Sequence, residues 1–378
     1  MQYFSSNTSC QFIIAVVKCS LLLLTLSIII KRLTMNSSKK GRDYLFDNYK
    51  VLLIFLVVVG HFIEPAYGNN GLINALKWMI VSFHMPAFIF ISGYFSKREL
   101  PISASIRKLF VPYLIYEVIY YLFYTFIIQK DTGLYLARPK FSLWYLLALF
   151  VWRVITPYVK RIPHYLMLSI VAGLLIGCSS MPGNFLSIPR ILVFYPFFLA
   201  GMNFDRGIIN RFRTKKNQWI SGIVTAVILA FVAVGPFTKI YSTKIFYGRY
   251  NYESLGQSVL EGILCRIVCY LIGFVLTYSL MLLISERETR YSYIGTRTMP
   301  VYLFHGLTYN FFKDCTNILE YIDTVGETTL LVTICIVLTK LFAAKPLVTF
   351  TNNISNLYLS DLGFSAPPTV LMPRLGYV

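Results

Sequence analysis

Ten apolar runs long enough to cross a bilayer recur along the chain, at 51–67, 72–95, 109–128, 141–157, 163–180, 188–205, 217–236, 257–284, 294–312 and 328–348. About 20 apolar residues in a helix match a hydrocarbon core roughly 30 Å thick. Inside lipid the backbone finds no water to bond, so each run must satisfy its own amides and carbonyls as an α-helix. The expected fold is therefore all-α, a polytopic transmembrane helical bundle of about ten spans. Composition agrees: 56% of residues are hydrophobic and 13% charged, against roughly a quarter charged in soluble domains. The connections are short and leave no room for a separate soluble domain. No internal repeat or low-complexity segment interrupts them.

The formal net charge is +19. In a soluble protein that balance would point to nucleic acid. Here the Lys and Arg residues lie mainly between the apolar runs, so they read as a topology signal, with no nucleic-acid partner. One set of alternate connections holds Lys39, Lys40, Arg42 and Lys50, then Lys97, Arg98, Arg107 and Lys108, Lys160 and Arg161, the segment Arg206 to Lys216, and Arg287, Arg290 and Arg297. The other set is poorer by roughly two to one. The richer set is expected in the cytoplasm, which sends the 51–67 run outward and makes the chain a multi-pass protein of the plasma (inner) membrane. A basic cytoplasmic face also suits a donor that carries phosphate.

The N-terminal region fits this scheme poorly. MQYFSSNTSC lacks the positive charge that opens a secretory signal, and Lys18 interrupts the apolar stretch 11–30. Met35 begins MNSSKKGRDY, a natural cytoplasmic N-terminus. Residues 1–34 are expected to be an extension upstream of the native start or an eleventh apolar helix. Residues 35–350 form the transmembrane domain, and 351–378 a tail. The seven cysteines (Cys10, Cys19, Cys178, Cys265, Cys269, Cys315 and Cys335) form no CxxC, and most lie in apolar runs. They read as small packing residues, and no metal site is expected.

Histidine is scarce: His61, His84, His164 and His305. His164 follows Pro163 at a helix start and reads as interfacial. The other three lie inside runs, His61 eleven residues from Lys50, His84 thirteen from Lys97 and His305 eight from Arg297. A helix rises 1.5 Å per residue, which places all three roughly 12 to 20 Å from the cytoplasmic charges. An ionisable group at that depth is costly and marks a functional site by default. Glu64 follows His61 by three residues and is expected on the same helical face. It either orients the imidazole or ends the span as a solvated charge beside Pro65. Glu117, Arg153, Glu261 and Arg266 are further intramembrane charges. Glu117 has no local partner in sequence and must pair elsewhere or stay neutral. Among the 28 Tyr and 30 Phe, the cluster Tyr241, Phe246, Tyr247, Tyr250 and Tyr252 could stack on sugar rings or lie at the interface.

These residues fall into ordered blocks. RDYLFDNYKVLLIFLVVVGH carries Asp47, Lys50 and His61; FHMPAFIFISGYF carries His84, Pro86, Ser92 and Gly93; RKLFVPYL runs from Arg107 to Pro112. LWYLLALFVWR, YPFFLAGM and YIGTRTMPVYLFHGL follow, the last with His305. In order and spacing, from about Arg42 to Lys345, the chain resembles the acyltransferase 3 family of integral membrane O-acyltransferases, in particular its fucose 4-O-acetylase-like branch. It departs from the family's pattern in having Lys50 where Arg is frequent and Lys97-Arg98 where an Arg pair is frequent. Lysine offers a point charge without a bidentate fork.

The resemblance implies acetyl transfer from cytoplasmic acetyl-CoA to a sugar hydroxyl of a cell-envelope or exported glycan, free or lipid-linked, without a metal. His61 is then the leading catalytic residue, as base or as acyl acceptor. His84 and His305 would orient a reactant or share the proton, and Glu64 would support His61. Lys50, Arg98, Arg107 and Lys108 are candidates for the donor's oxygens and phosphates. Glu117, Arg153 and Arg266 are candidates for substrate contact. A proton-coupled transporter or glycan exporter would also place His and Glu inside the membrane, although such proteins often show internal repeats.

Overall fold

The computed structural model of the protein describes residues 43–98 and 100–355. The stretch 11–30 and the expected extension 1–34 lie outside the described residues, as does the tail beyond 355. Each apolar run contains one helix: α1 Tyr44–Phe62, α2 Gly71–Tyr94, α3 Ile102–Ile127, α4 Phe141–Val159, α5 Tyr165–Cys178, α6 Phe185–Asn203, α7 Lys215–Ile240, α8 Val259–Leu283, α9 Thr298–Phe311 and α10 Val325–Phe342. A further helix, α11 Lys345–Ser355, takes in the start of the expected tail. All but α5, α9 and α11 are long and apolar enough by themselves to cross a membrane. No strand occurs among the described residues.

Helix starts carry local signals. Side-chain oxygens of Asp43, Asn70, Thr214 and Ser258 accept from the first-turn amides of α1, α2, α7 and α8. Thr324 and Glu327 form a reciprocal capping box on α10. Each satisfies amides that have no partner within the helix.

The largest departure from the expected boundaries is α1, which starts at Tyr44 rather than 51 and ends at Phe62 rather than 67. Its polar first turns are tolerated because their partners come from elsewhere in the fold. Asn48 donates to the carbonyls of Ser285 and Arg287, both at 2.8 Å, and accepts from Ser292 Oγ at 2.6 Å. At the other end Pro65 biases Glu64 away from helical backbone. His61 thus lies in the last turn of α1 rather than at mid-span, and Glu64 lies in the turn after it. Glu64 still falls beside His61, three residues on, although the helix ends between them.

Two sets of loop contacts mark the two ends of the bundle. At one end Asn69, after α1, donates to Glu320 O, after α9. Leu186 N, at the start of α6, donates to Ala137 O, before α4, and Tyr252 N, before α8, donates to Gly177 O in α5. At the other end Arg206 bridges Asp43 at 2.7 Å and Glu286 at 2.5 Å, and Arg297 donates to Ala343 O. Alternate connections thus gather at opposite ends, so α5 and α9 traverse the bundle like their longer neighbours. The second end holds the Lys- and Arg-rich connections and is called the basic end below.

α1 and α2 form the centre, with 72% and 83% of their apolar windows buried, whereas α3, α7 and α10 bury a third or less and form the lipid-facing rim. α2 and α6 cross through two glycines. A Cβ at Gly93 would stand 2.0 Å from Phe198 O, and one at Gly201 would stand 1.9 Å from Phe90 O. Missing side chains let the two backbones touch, the usual device where helices must meet closely in lipid.

Candidate active site

A cavity of about 520 Å³ enters the bundle from the end opposite the basic loops. Its upper wall is loop: Pro139, Asn184, Tyr247, Arg249 and Tyr250. Its lower wall is helix: Val57, Gly60 and His61 of α1, Lys77, Val81, His84 and Met85 of α2, and Tyr309 and Asn310 of α9.

Three expected histidines converge here. His61 and His84 line the cavity, and the ring of His305 lies 5.4 Å, centre to centre, from that of His61. The helices fix two of the rings. His84 Nδ1 is 2.7 Å from Ile80 O and His305 Nδ1 is 3.0 Å from Val301 O, both one turn back. A carbonyl can only accept, so Nδ1 carries the proton in each neutral ring and Nε2 keeps its lone pair. Nε2 of His305 is buried and makes no hydrogen bond among the described residues.

His61 is held differently. Its Nδ1 stands 3.7 Å from Glu64 Oε2, an ion-pair distance rather than a closed hydrogen bond. Glu64 also faces Lys77 Nζ at 3.3 Å and accepts from Tyr247 OH at 3.3 Å. Lys77, buried in α2, donates to the carbonyl of Gly60 at 2.9 Å and so ties α2 to the turn that carries His61. Burial pushes the Glu64 carboxyl up, but His61 and Lys77 more than reverse this and hold it well below the usual carboxylate range. Glu64 thus stands beside the imidazole with its side chain 39% exposed.

Phe141 packs on His61, His305 and Tyr309 with ring centres 4.6, 5.8 and 5.2 Å away. Its φ of 46° lies in the left-handed region that bulky residues avoid. Strain of this kind persists only where the surroundings over-determine it, and it gathers at functional sites. Gly306 on α9 makes the room, since a Cβ there would meet Tyr120 Oη at 2.0 Å and the Phe141 ring at 2.6 Å.

Other expected site residues lie apart from the cavity. Lys50 pairs with Asp47 at 3.0 Å, eleven residues before His61 and thus roughly 16 Å along α1. Arg98 and Lys108 are exposed at the basic end, and Arg107 is half-buried there. Glu117 finds its partner in Lys140, whose amide donates to it at 2.7 Å and whose Nζ stands 3.8 Å away. Arg153 is half-buried on α4, and its Nε has no hydrogen bond. Arg266 donates to the carbonyls of Gly173 and Tyr250 and stacks on Tyr252, bracing the loop before α8. It does not pair with Glu261, which accepts from Tyr241. Of the aromatic cluster, Phe246, Tyr247 and Tyr250 line the cavity.

Sequence reasoning missed Lys77, Arg190, Arg249 and Tyr309 as cavity residues. A signal existed for one of them, since Lys77 is a cation inside the apolar run GLINALKWMIV. Among the described residues no cluster of His, Cys, Asp or Glu could hold a metal ion.

A bundle of membrane-crossing helices thus gathers imidazoles, a carboxylate and a buried lysine around one cavity. Comparison with protein families gives the class directly: the model of the acyltransferase 3 family, described as an acyltransferase domain, matches residues 43–344. The chain belongs to that family and is a membrane acyltransferase. No curated protein and no solved structure gives a significant match.

Proposed function

We propose that this chain is a membrane O-acetyltransferase that moves an acetyl group from acetyl-CoA to a sugar hydroxyl of a cell-envelope or exported glycan. The observation that carries the reading is the placement of His61 on the cavity wall, beside Glu64 and next to His305. The basic end faces the cytoplasm by its charge and meets the anionic donor, with Lys50, Arg98, Arg107 and Lys108 as its candidate contacts. The cavity opens at the opposite end and receives the glycan.

The chemistry follows from the groups present. A hydroxyl is a poor nucleophile near neutral pH, and imidazole is the side chain suited to accept its proton there. An imidazole nitrogen of His61 takes the hydroxyl proton as the sugar oxygen bonds to the thioester carbonyl carbon. The C–S bond then breaks, and the departing thiolate recovers that proton from the imidazolium. The products are the acetyl ester and free CoA. Glu64 opposite the ring stabilises the positive charge that His61 acquires, the part a carboxylate plays behind a catalytic histidine.

The test uses purified full-length protein in lipid vesicles, radiolabelled acetyl-CoA and the glycan fraction of the producing cell. Wild type should transfer label to glycan, and His61→Ala should lose about 10²-fold or more, the scale of a missing general base, with unchanged membrane insertion. Full transfer by His61→Ala overturns the assignment of this histidine.

A further inference from the structure

The cavity carries more positive charge than its own residues neutralise. Lys77 is matched by Glu64, and Lys313 lies 3.9 Å from Asp314. Arg190 and Arg249 also line the cavity, yet among the described residues neither forms an ion pair. Each guanidinium is held by an aromatic face instead, Arg190 at 4.8 Å over Trp144 and Arg249 at 5.0 Å over Tyr250. Arg249 Nε is buried without a hydrogen bond.

Two guanidiniums that share a partly enclosed site repel each other, and there the repulsion is poorly screened. The fold nevertheless holds both in place. Arg190 sits in α6 just past two left-handed residues, Leu186 and Ser187. The backbone of Arg249 abuts Gly183, where a Cβ would stand 2.1 Å from Arg249 O. Planar forks stacked on aromatic rings are pre-organised to grip a carboxylate or phosphate in bidentate fashion.

We propose that Arg190 and Arg249 form an anion subsite for the acceptor, so that the sugar acetylated here carries a carboxylate or phosphate group close to the receiving hydroxyl. Tyr247 lines the cavity beside the pair. The location assigns the anion to the acceptor, because the pair sits at the cavity mouth, opposite the basic end. This inference rests on the acetyltransferase reading and deepens it.

The test measures equilibrium binding of glucose 1-phosphate, glucuronate and glucose to the full-length protein in phosphatidylcholine nanodiscs, with acetyl-CoA binding and acetyl transfer measured alongside. At least one anionic sugar should bind about tenfold more tightly than glucose, as one charge-assisted contact would give. Which of the two binds tells phosphate from carboxylate. Arg190→Gln with Arg249→Gln should erase the preference and leave acetyl-CoA binding within about twofold, while the paired Lys substitutions should keep part of it. If the double variant fails to insert, Arg249→Gln alone should still reduce the preference. Equal binding of all three sugars to wild type overturns the inference, as does a loss of acetyl-CoA affinity in the Gln variants. An anion preference without any acetyl transfer would instead count against the acetyltransferase reading and leave the subsite standing.

Discussion

At the scale of single residues the site is a chain of charges in which each member fixes the next. Lys77 holds the Gly60 carbonyl and Glu64, and Glu64 faces His61 and Tyr247. Glu64→Gln keeps an acceptor for Tyr247 and removes the charge. The folded protein favours the ionised carboxyl, so its stabilising effect is present above the ordinary glutamate value, about 4.3, and is lost as pH falls through the lower folded value. The gap in unfolding temperature between wild type and Glu64→Gln should therefore be complete at pH 7 and narrow below about pH 4. A gap that stays constant through that range would mean the carboxylate charge is not what the site uses. The three histidines were legible from sequence because an imidazole in an apolar run conflicts with its surroundings. Arg190 and Arg249 were not, since a cation at the start of an apolar run or in a short connection looks like any topology signal until the loops are seen to fold over the cavity.

At the scale of elements, the helices are positioned by what they lack. The α2–α6 crossing depends on Gly93 and Gly201, and Gly201→Val should push the backbones apart and reduce the yield of folded protein. Overpacking of this kind costs about 1–3 kcal/mol or more. Gly222 on α7 gives the contrast, because nothing lies within 4 Å of a Cβ there. Gly222→Ala should be neutral or raise stability by up to about 1 kcal/mol through helix propensity. Thermal unfolding of the two variants in detergent separates the cases, and equal losses would show that the close approach is not what matters. Helix existence could be read from hydropathy, which follows composition. The ends of α1 could not, because its polar first turns are paid for by Asn48 contacts with residues more than two hundred positions away.

At the scale of the whole molecule, alternate loops gather at opposite ends, one basic and one carrying the cavity. If the basic end is cytoplasmic, Ser254→Cys in the loop before α8 should react with a membrane-impermeant maleimide in intact cells, beyond the wild-type signal. Ser103→Cys at the start of α3 should react only after permeabilisation. The reverse pattern would turn the cavity toward the donor's side and exchange the roles proposed for the two ends. By itself the sequence determined the number of apolar helices, their order and the contrast in charge between the two sets of connections. Each follows from local hydrophobicity and from the rule that a backbone in lipid must bond to itself. The meeting of His61, Glu64, Lys77 and His305, and the pairing of Arg190 with Arg249 across the cavity mouth, were decided only by the tertiary structure. They depend on how each helix is rotated about its axis and on glycine-sized gaps between backbones, and hydropathy carries neither.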